Sequence, residues 1–255
     1  MNKSIKIFGL ITLSFLMMSL IVRHDVSDKK YIELGKKYKQ IVHFSDGEGT
    51  LIKKDWVITA AHIGEYIKKK ISSGEKQQVL STNGNYYDIE KIIIHPDYKF
   101  TRTSINNDIA LVKLKKSIQN IKPVSLFMKK NEVRKQIVLV GAGDKGTGLT
   151  GPKMMDKITR AATNRIDAVT NQWISFDFDA PDSEDVTKYE GVSGPGDSGG
   201  PALIDNKGDL SIIGVSSHQK GASIYGEGKY GVTEYYARIS SYIEWINNVI
   251  NGKKF

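Results

Sequence analysis

The run Gly196-Asp197-Ser198-Gly199-Gly200-Pro201 places a serine among glycines. With no Cβ at Gly196 or Gly199, the chain can turn tightly there and leave the hydroxyl unhindered. The same turn lets the N–H groups of Gly196 and Ser198 aim into one concavity, where they would bind a developing oxyanion. That is equipment for nucleophilic acyl transfer; a plain glycine-rich β-turn is the other reading of the run. A serine hydroxyl is a weak nucleophile and needs a base that is itself oriented by a third group. Two fragments upstream hold residue types suited to those tasks. Thr59-Ala60-Ala61-His62 sets an imidazole behind three small residues after the apolar run Trp56-Val57-Ile58. Alone it reads rather as a capped strand end with an incidental histidine. Asn106-Asn107-Asp108 sets a carboxylate at the entrance of the apolar segment Ile109–Leu114. A charge there is expensive unless hydrogen-bonded. A histidine N–H would satisfy it, and an ordinary Asp turn would also account for the residue.

These side chains must be positioned by something, and the pattern around them is that of an all-β chain. Gly49–Thr59 holds two apolar bursts about a turn. Tyr86–His95, Ile109–Leu114, Gln136–Gly141, Gln172–Phe178, Ala202–Ile204 and Leu210–Ser216 read as further strands. Such spacing predicts a sandwich or barrel. A short helix is expected near Ala60–Lys69. A second covers Ser240–Asn251, with Ile243, Ile246, Val249 and Ile250 on one face and Ser240 as N-cap. Residues 116–134 lack periodicity and read as a connection between two lobes. Residues 179–196 read as a loop long enough to be functional.

The order His62, Asp108, Ser198 is that of chymotrypsin-like enzymes and differs from the subtilisin and α/β-hydrolase orders. On these three fragments the chain resembles a bacterial trypsin-like serine peptidase of the chymotrypsin family. Gly49-Thr50-Leu51-Ile52 followed by Trp56–His62 is similar to the family's strands leading to the histidine. Ile94-His95-Pro96-Asp97-Tyr98 is similar to the segment preceding the aspartate. Val140-Gly141-Ala142-Gly143 resembles a second-barrel strand that usually reads Gly-Trp-Gly, and Ile213–Ser217 resembles the substrate-binding strand. The resemblance covers about 21–255. It implies two six-stranded Greek-key β-barrels, about 27–120 and about 130–239, with a C-terminal helix over 240–251. It implies a serine endopeptidase working through an acyl-enzyme, with Ser198 as nucleophile, His62 as base, Asp108 as its orienter and the Gly196 and Ser198 amides as oxyanion hole. A catalytically silent binding module on the same fold is the alternative.

The resemblance also implies an activation device, in which a new α-amino group at Ile21 pairs with Asp197; Ile21 and Val22 read otherwise as the end of an apolar leader. It places the substrate pocket at Val192, Ser193, Ser217 and Glu234. Val192 stands where trypsin-type members carry an aspartate, so that charge is missing. Glu234 would restore a negative charge from the opposite wall and favour Lys or Arg, or shrink the pocket in favour of a small or apolar side chain, or sit on a solvated turn. His218-Gln219 replace the usual Trp-Gly.

Composition and charge narrow the remainder. The chain has 255 residues, 40% hydrophobic and 25% charged, which excludes extensive disorder. It has no cysteine, which excludes disulfides, thiolate metal sites and a cysteine nucleophile. The net charge of +9 is scattered, and the lysine runs lack interleaved aromatics, so nucleic acid is not an expected partner. Polypeptide substrates are, with proteinaceous inhibitors as a second class. Lys3 and Lys6 precede the uncharged stretch 7–22, and Arg23 ends it. Sixteen residues fall short of the ~20 that span a bilayer, so residues 1–20 read as a cleaved export signal without stable membrane insertion afterwards. The expected location is secreted or periplasmic. The acidic run Asp177, Asp179, Asp182, Glu184 and Asp185 lacks the spacing of a calcium loop, and His24, His43, His95 and His218 lack paired ligands. No metal or cofactor is expected.

Overall fold

The computed structural model describes residues 20–253, with the side chains of 154 and 155 excepted. The export signal expected over 1–20 therefore lies outside the described residues except for Leu20, which is buried in the core beside Ile21. Among the described residues no helix is long and apolar enough to cross a membrane.

Alternating and near-continuous apolar runs become strands. Ile41–Phe44, Gly47–Lys53, Trp56–Thr59, Ala110–Leu114, Tyr86–Ile94 and Gln78–Ser81 follow one another around a closed six-stranded barrel. The expected Gly49–Thr59 pair is a hairpin turning at Lys54-Asp55, with Leu51 opposite Val57. The strand Trp56–Thr59 runs buried along its whole length because it is covered on both sides, which is why it reads as a continuous apolar run. The second lobe is an open, eight-stranded half-barrel. Its path is Arg160–Arg165, Gln136–Gly141, Pro201–Asn206, Asp209–Lys220, Thr233–Arg238, Trp173–Asp177 and Ala168–Val169, with Ser125–Leu126 added parallel to Asp209–Lys220. This is the chymotrypsin-like β architecture, with one lobe closed and the other left open.

Two local readings change. The strand expected at Leu210–Ser216 continues to Lys220 and carries His218 and Gln219 on it. The last helix starts at Ile243 and is capped by Tyr242 with no side-chain cap bond; the expected N-cap Ser240 lies in a preceding 3₁₀ turn. Its hydroxyl is committed elsewhere, donating to Glu132 at 2.6 Å. The buried face is Trp245, Ile246 and Val249, with Ile243 and Ile250 at its margin.

A buried ion pair ties the inter-lobe connection to this end of the chain. Glu132 is 1% exposed and receives two parallel bonds from Arg238, Nε to Oε1 at 2.7 Å and Nη2 to Oε2 at 2.9 Å. Arg238 Nη1 also donates to the Thr170 carbonyl at 2.8 Å. Removing one partner leaves an uncompensated charge. Glu132→Ala is expected to cost about 3–5 kcal/mol of stability in urea unfolding, and Glu132→Gln less. A loss below about 1 kcal/mol for Glu132→Ala would make this a peripheral pair.

Candidate active site

His62 opens the helix Ala61–Ser72 directly after the strand Trp56–Thr59. Asp108 stands two residues before the strand Ala110–Leu114, and Thr59 pairs with Ala110 in the ladder between them. That register brings the two strand ends, and so the two side chains, to one point. Asp108 is 0% exposed. Its Oδ1 accepts from the His62 backbone N–H at 2.9 Å, and its Oδ2 lies 2.8 Å from His62 Nδ1. Oδ2 also accepts from the Ser217 hydroxyl at 2.6 Å. Burial alone would raise the carboxyl's pKa. The His62 charge and these three hydrogen bonds outweigh it and hold the value below the ordinary range. Burial likewise pulls the His62 imidazole down, and the facing Asp108 carboxylate more than reverses this, leaving the ring raised above its ordinary 6.5.

Ser198 arrives from the other lobe. Its carbonyl accepts from the Glu48 N–H at 2.8 Å, and the next residue, Gly199, donates to the Ser216 carbonyl at 2.9 Å. The loop is thereby pinned to both lobes. Gly199 has φ +82°, and a Cβ there would collide with Thr59 Oγ1 and the Glu48 carbonyl. The glycine is needed for the backbone of the serine loop to lie against the strand that delivers His62. Gly196 has φ +97°, and neither its N–H nor that of Ser198 donates to a backbone acceptor among the described residues. Among those residues no hydrogen bond joins the His62 ring to the Ser198 hydroxyl; the imidazole is held from its Nδ1 side. A cavity of about 550 Å³ adjoins Gly196, walled by His43, Glu48, Lys76, Gln78, Gly143 and Lys157.

The remaining expected site residues fall in four places. Val192 is fully buried and pairs with Ile21 across a short antiparallel ladder. Ser193 donates to Glu234 at 2.6 Å and receives the Ser216 hydroxyl at 3.1 Å, so Ser193 and Glu234 meet. Ser217 points its hydroxyl to Asp108. Ile21 lies within a strand and remains bonded to Leu20. Asp197 is buried, accepting from the Gly143 N–H at 3.2 Å and the Gly194 N–H at 2.9 Å. Glu48 is a residue the sequence did not single out. It is 2% exposed; Oε1 accepts from the Ala142 N–H at 2.7 Å and lies 3.2 Å from His43 Nδ1. Its other oxygen has no partner among the described residues. Burial, and then the Glu48 charge, push the Asp197 carboxyl well up. Two acids thus sit behind the serine loop, and only the sheet topology brings them together.

The acidic run after Trp173–Asp177 is tied down by Arg134, whose Nη1 donates to Asp185 at 2.9 Å. Among the described residues no cluster of three His, Asp or Glu is placed to hold a metal.

Residues 35–246 match the family model described as Trypsin. The chain is 27% identical over 246 residues to a trypsin of Phaedon cochleariae, covering 90% of this chain and 88% of the relative. It is 29% identical over 214 residues to chymotrypsin-like elastase family member 1 of Homo sapiens, with 79% and 80% covered. It is also 29% identical over 223 residues to vitamin K-dependent protein C of Mus musculus, covering 80% of this chain and 46% of that protein. All three relatives are animal proteins.

Proposed function

Because the chain belongs to the trypsin family and is a serine endopeptidase, we propose that His62, Asp108 and Ser198 are its proton-relaying triad. The observation that carries this is the buried Asp108 carboxylate, which accepts from the His62 backbone and faces its ring while Ser217 holds it from behind. That arrangement fixes the tautomer with hydrogen on Nδ1 and leaves Nε2 as the base. Ser198 Oγ attacks the scissile carbonyl and passes its proton to Nε2, the bond that tightens once substrate is bound. The oxyanion is met by the unengaged amides of Gly196 and Ser198. His62 then returns the proton to the leaving amine, and water repeats the sequence on the acyl-enzyme. A fluorophosphonate probe tests this directly: one adduct is expected, mapped by peptide mass to Ser198. An adduct at any other serine would refute the assignment.

The pH profile follows from the sign of the His62 shift. Only the neutral ring accepts the serine proton, so kcat/KM falls as the pH drops through the His62 value. Since that value is raised, the acid limb is expected above 6.5. A limb well below 6.5, measured in the wild type, would mean that Asp108 does not face the working imidazole.

The same proposal extends to biogenesis. Residues 1–20 direct export from a bacterial cell, and the protein acts outside the cytoplasm on polypeptides. Cleavage before Ile21 creates an ammonium that neutralises Asp197, a buried carboxylate whose described partners are only amides. N-terminal sequencing of the exported protein tests both statements.

A further inference from the structure

The strand Asp209–Lys220 and the strand Thr233–Arg238 are paired so that Gln219 stands opposite Glu234. Glu234 is 2% exposed, and each of its carboxylate oxygens is occupied. Oε2 accepts from the Ser193 hydroxyl at 2.6 Å and Oε1 from the Gln219 side-chain amide at 2.6 Å. The Gln219 side chain is itself held from its other end, its Oε1 accepting from the Gly228 N–H at 2.9 Å. Ser193 is held by the Ser216 hydroxyl, and Ser216 is bound to both glycines that follow Ser198: its carbonyl accepts from the Gly199 N–H and its N–H donates to the Gly200 carbonyl. A continuous polar network therefore runs from beside Ser198 through Ser216 and Ser193 to Glu234, and Gln219 crosses to it from the opposite side. Every donor in it is neutral, and no cation faces the carboxylate among the described residues.

Resting on the triad reading above, we propose that Gln219 is a strap that closes the substrate pocket over Glu234, so that the enzyme cleaves after small uncharged residues such as Ala, Ser or Thr while the acidic group beneath stays latent. A Lys or Arg side chain can pair with Glu234 only by displacing one of its two donors, the Ser193 hydroxyl or the Gln219 amide, which would then lose its buried partner. Glu234 is also a poor anion in this setting. Burial pushes its pKa to about 7, so near neutrality a substantial fraction carries a proton. Without the strap the acid becomes accessible, and a charge in a pocket is enough to redirect selectivity.

The test is a set of peptide substrates differing only in the residue before the cleaved bond (Ala, Ser, Leu, Lys, Arg), run on the full chain after N-terminal processing. The pH is held above the Glu234 value of about 7. In the wild type, kcat/KM for Ala is expected to exceed that for Arg by at least about tenfold. In Gln219→Gly the Arg-to-Ala ratio should rise by at least about tenfold, and Gln219→Gly with Glu234→Gln should lose that rise. Gln219→Ala repeats the measurement if the glycine variant does not fold. A wild type that prefers Arg or Lys overturns the proposal, as does a strapless variant with an unchanged ratio. Binding of an arylamidinium dye to the Ser198→Ala protein reads the pocket without catalysis. Tighter binding in the Gln219→Gly background supports the strap, and equal binding overturns it. If no variant hydrolyses any peptide or takes the fluorophosphonate, the triad reading has failed, and the dye result still decides the pocket.

Discussion

Ser198→Ala is expected to lower kcat/KM on every peptide by a factor on the order of 10⁴–10⁶. The size follows from what the substitution removes and what it leaves. The only atom lost is the hydroxyl oxygen that forms the acyl bond. The backbone of the loop is held by Glu48, Ser216 and the packing of Gly199 against Thr59, none of which involves that oxygen. The two oxyanion amides therefore remain in place, and a residual rate about 10³–10⁴ above the uncatalysed one is expected from them and from binding. The variant should fold as the wild type does, with the same urea midpoint, and should take no fluorophosphonate. Peptide hydrolysis at an unchanged rate, in protein free of wild-type contamination, would remove Ser198 from the chemistry altogether.

What could be read from the sequence was governed by how local the determinants are. The strands flanking His62 and Asp108 are legible because continuous apolar runs such as Trp56–Ile58 and Ile109–Val112 have to be covered on both faces. Their pairing then brings the two residues together without further information. The helix Asp28–Gly35 was not legible. Its sequence, DKKYIELG, has weak amphipathicity, and it is held by a tertiary device. The wholly buried Arg160 donates to Asp28 at 2.6 and 2.8 Å and to Asp156 at 2.8 and 2.9 Å. Glu48 was hidden for a similar reason. In Gly47-Glu48-Gly49 it reads as a solvated turn residue, and only the approach of the serine loop from the other lobe makes it a buried acid beside Asp197. Ser217 shows what the folded chain adds to reading by position. It was expected in the pocket wall, and its hydroxyl is turned to Asp108, a contact that only the meeting of the two lobes reveals. Gln219 was noticed as a departure from the usual glycine. Its partner became visible only through the register with Glu234, interrupted by an irregularity between Ser216 and His218 that shifts every later residue by one.

Asp108→Asn should cost nearly as much as losing the nucleophile, on the order of 10⁴ in kcat, while keeping the shape of the site. The carboxylate accepts three hydrogen bonds, from the His62 N–H, the His62 ring and the Ser217 hydroxyl. An amide of the same size has one accepting oxygen and one donating nitrogen. If the oxygen stays with the His62 backbone and the NH₂ faces the ring, Nδ1 must accept, and the ring's hydrogen moves to Nε2. That nitrogen can then no longer take the serine proton. Two further observables separate this account from general damage. The negative charge that raises the His62 pKa is gone and burial remains, so whatever residual activity persists should have its acid limb shifted down, opposite to the wild type. Stability should change with the same sign logic. In the wild type, the lowered Asp108 value contributes stability above its unfolded pKa that is lost as pH falls through the folded one. The raised His62 value contributes stability below its unfolded pKa that is lost as pH rises through the folded one. In Asp108→Asn the Asp108 contribution should vanish and the His62 contribution should reverse sign, because burial alone lowers the ring's value, so the urea midpoint should fall as the pH drops through the His62 range. A variant that kept the wild-type acid limb, or lost less than about tenfold in kcat, would show that Asp108 is a buried structural acid and that His62 is oriented by something else.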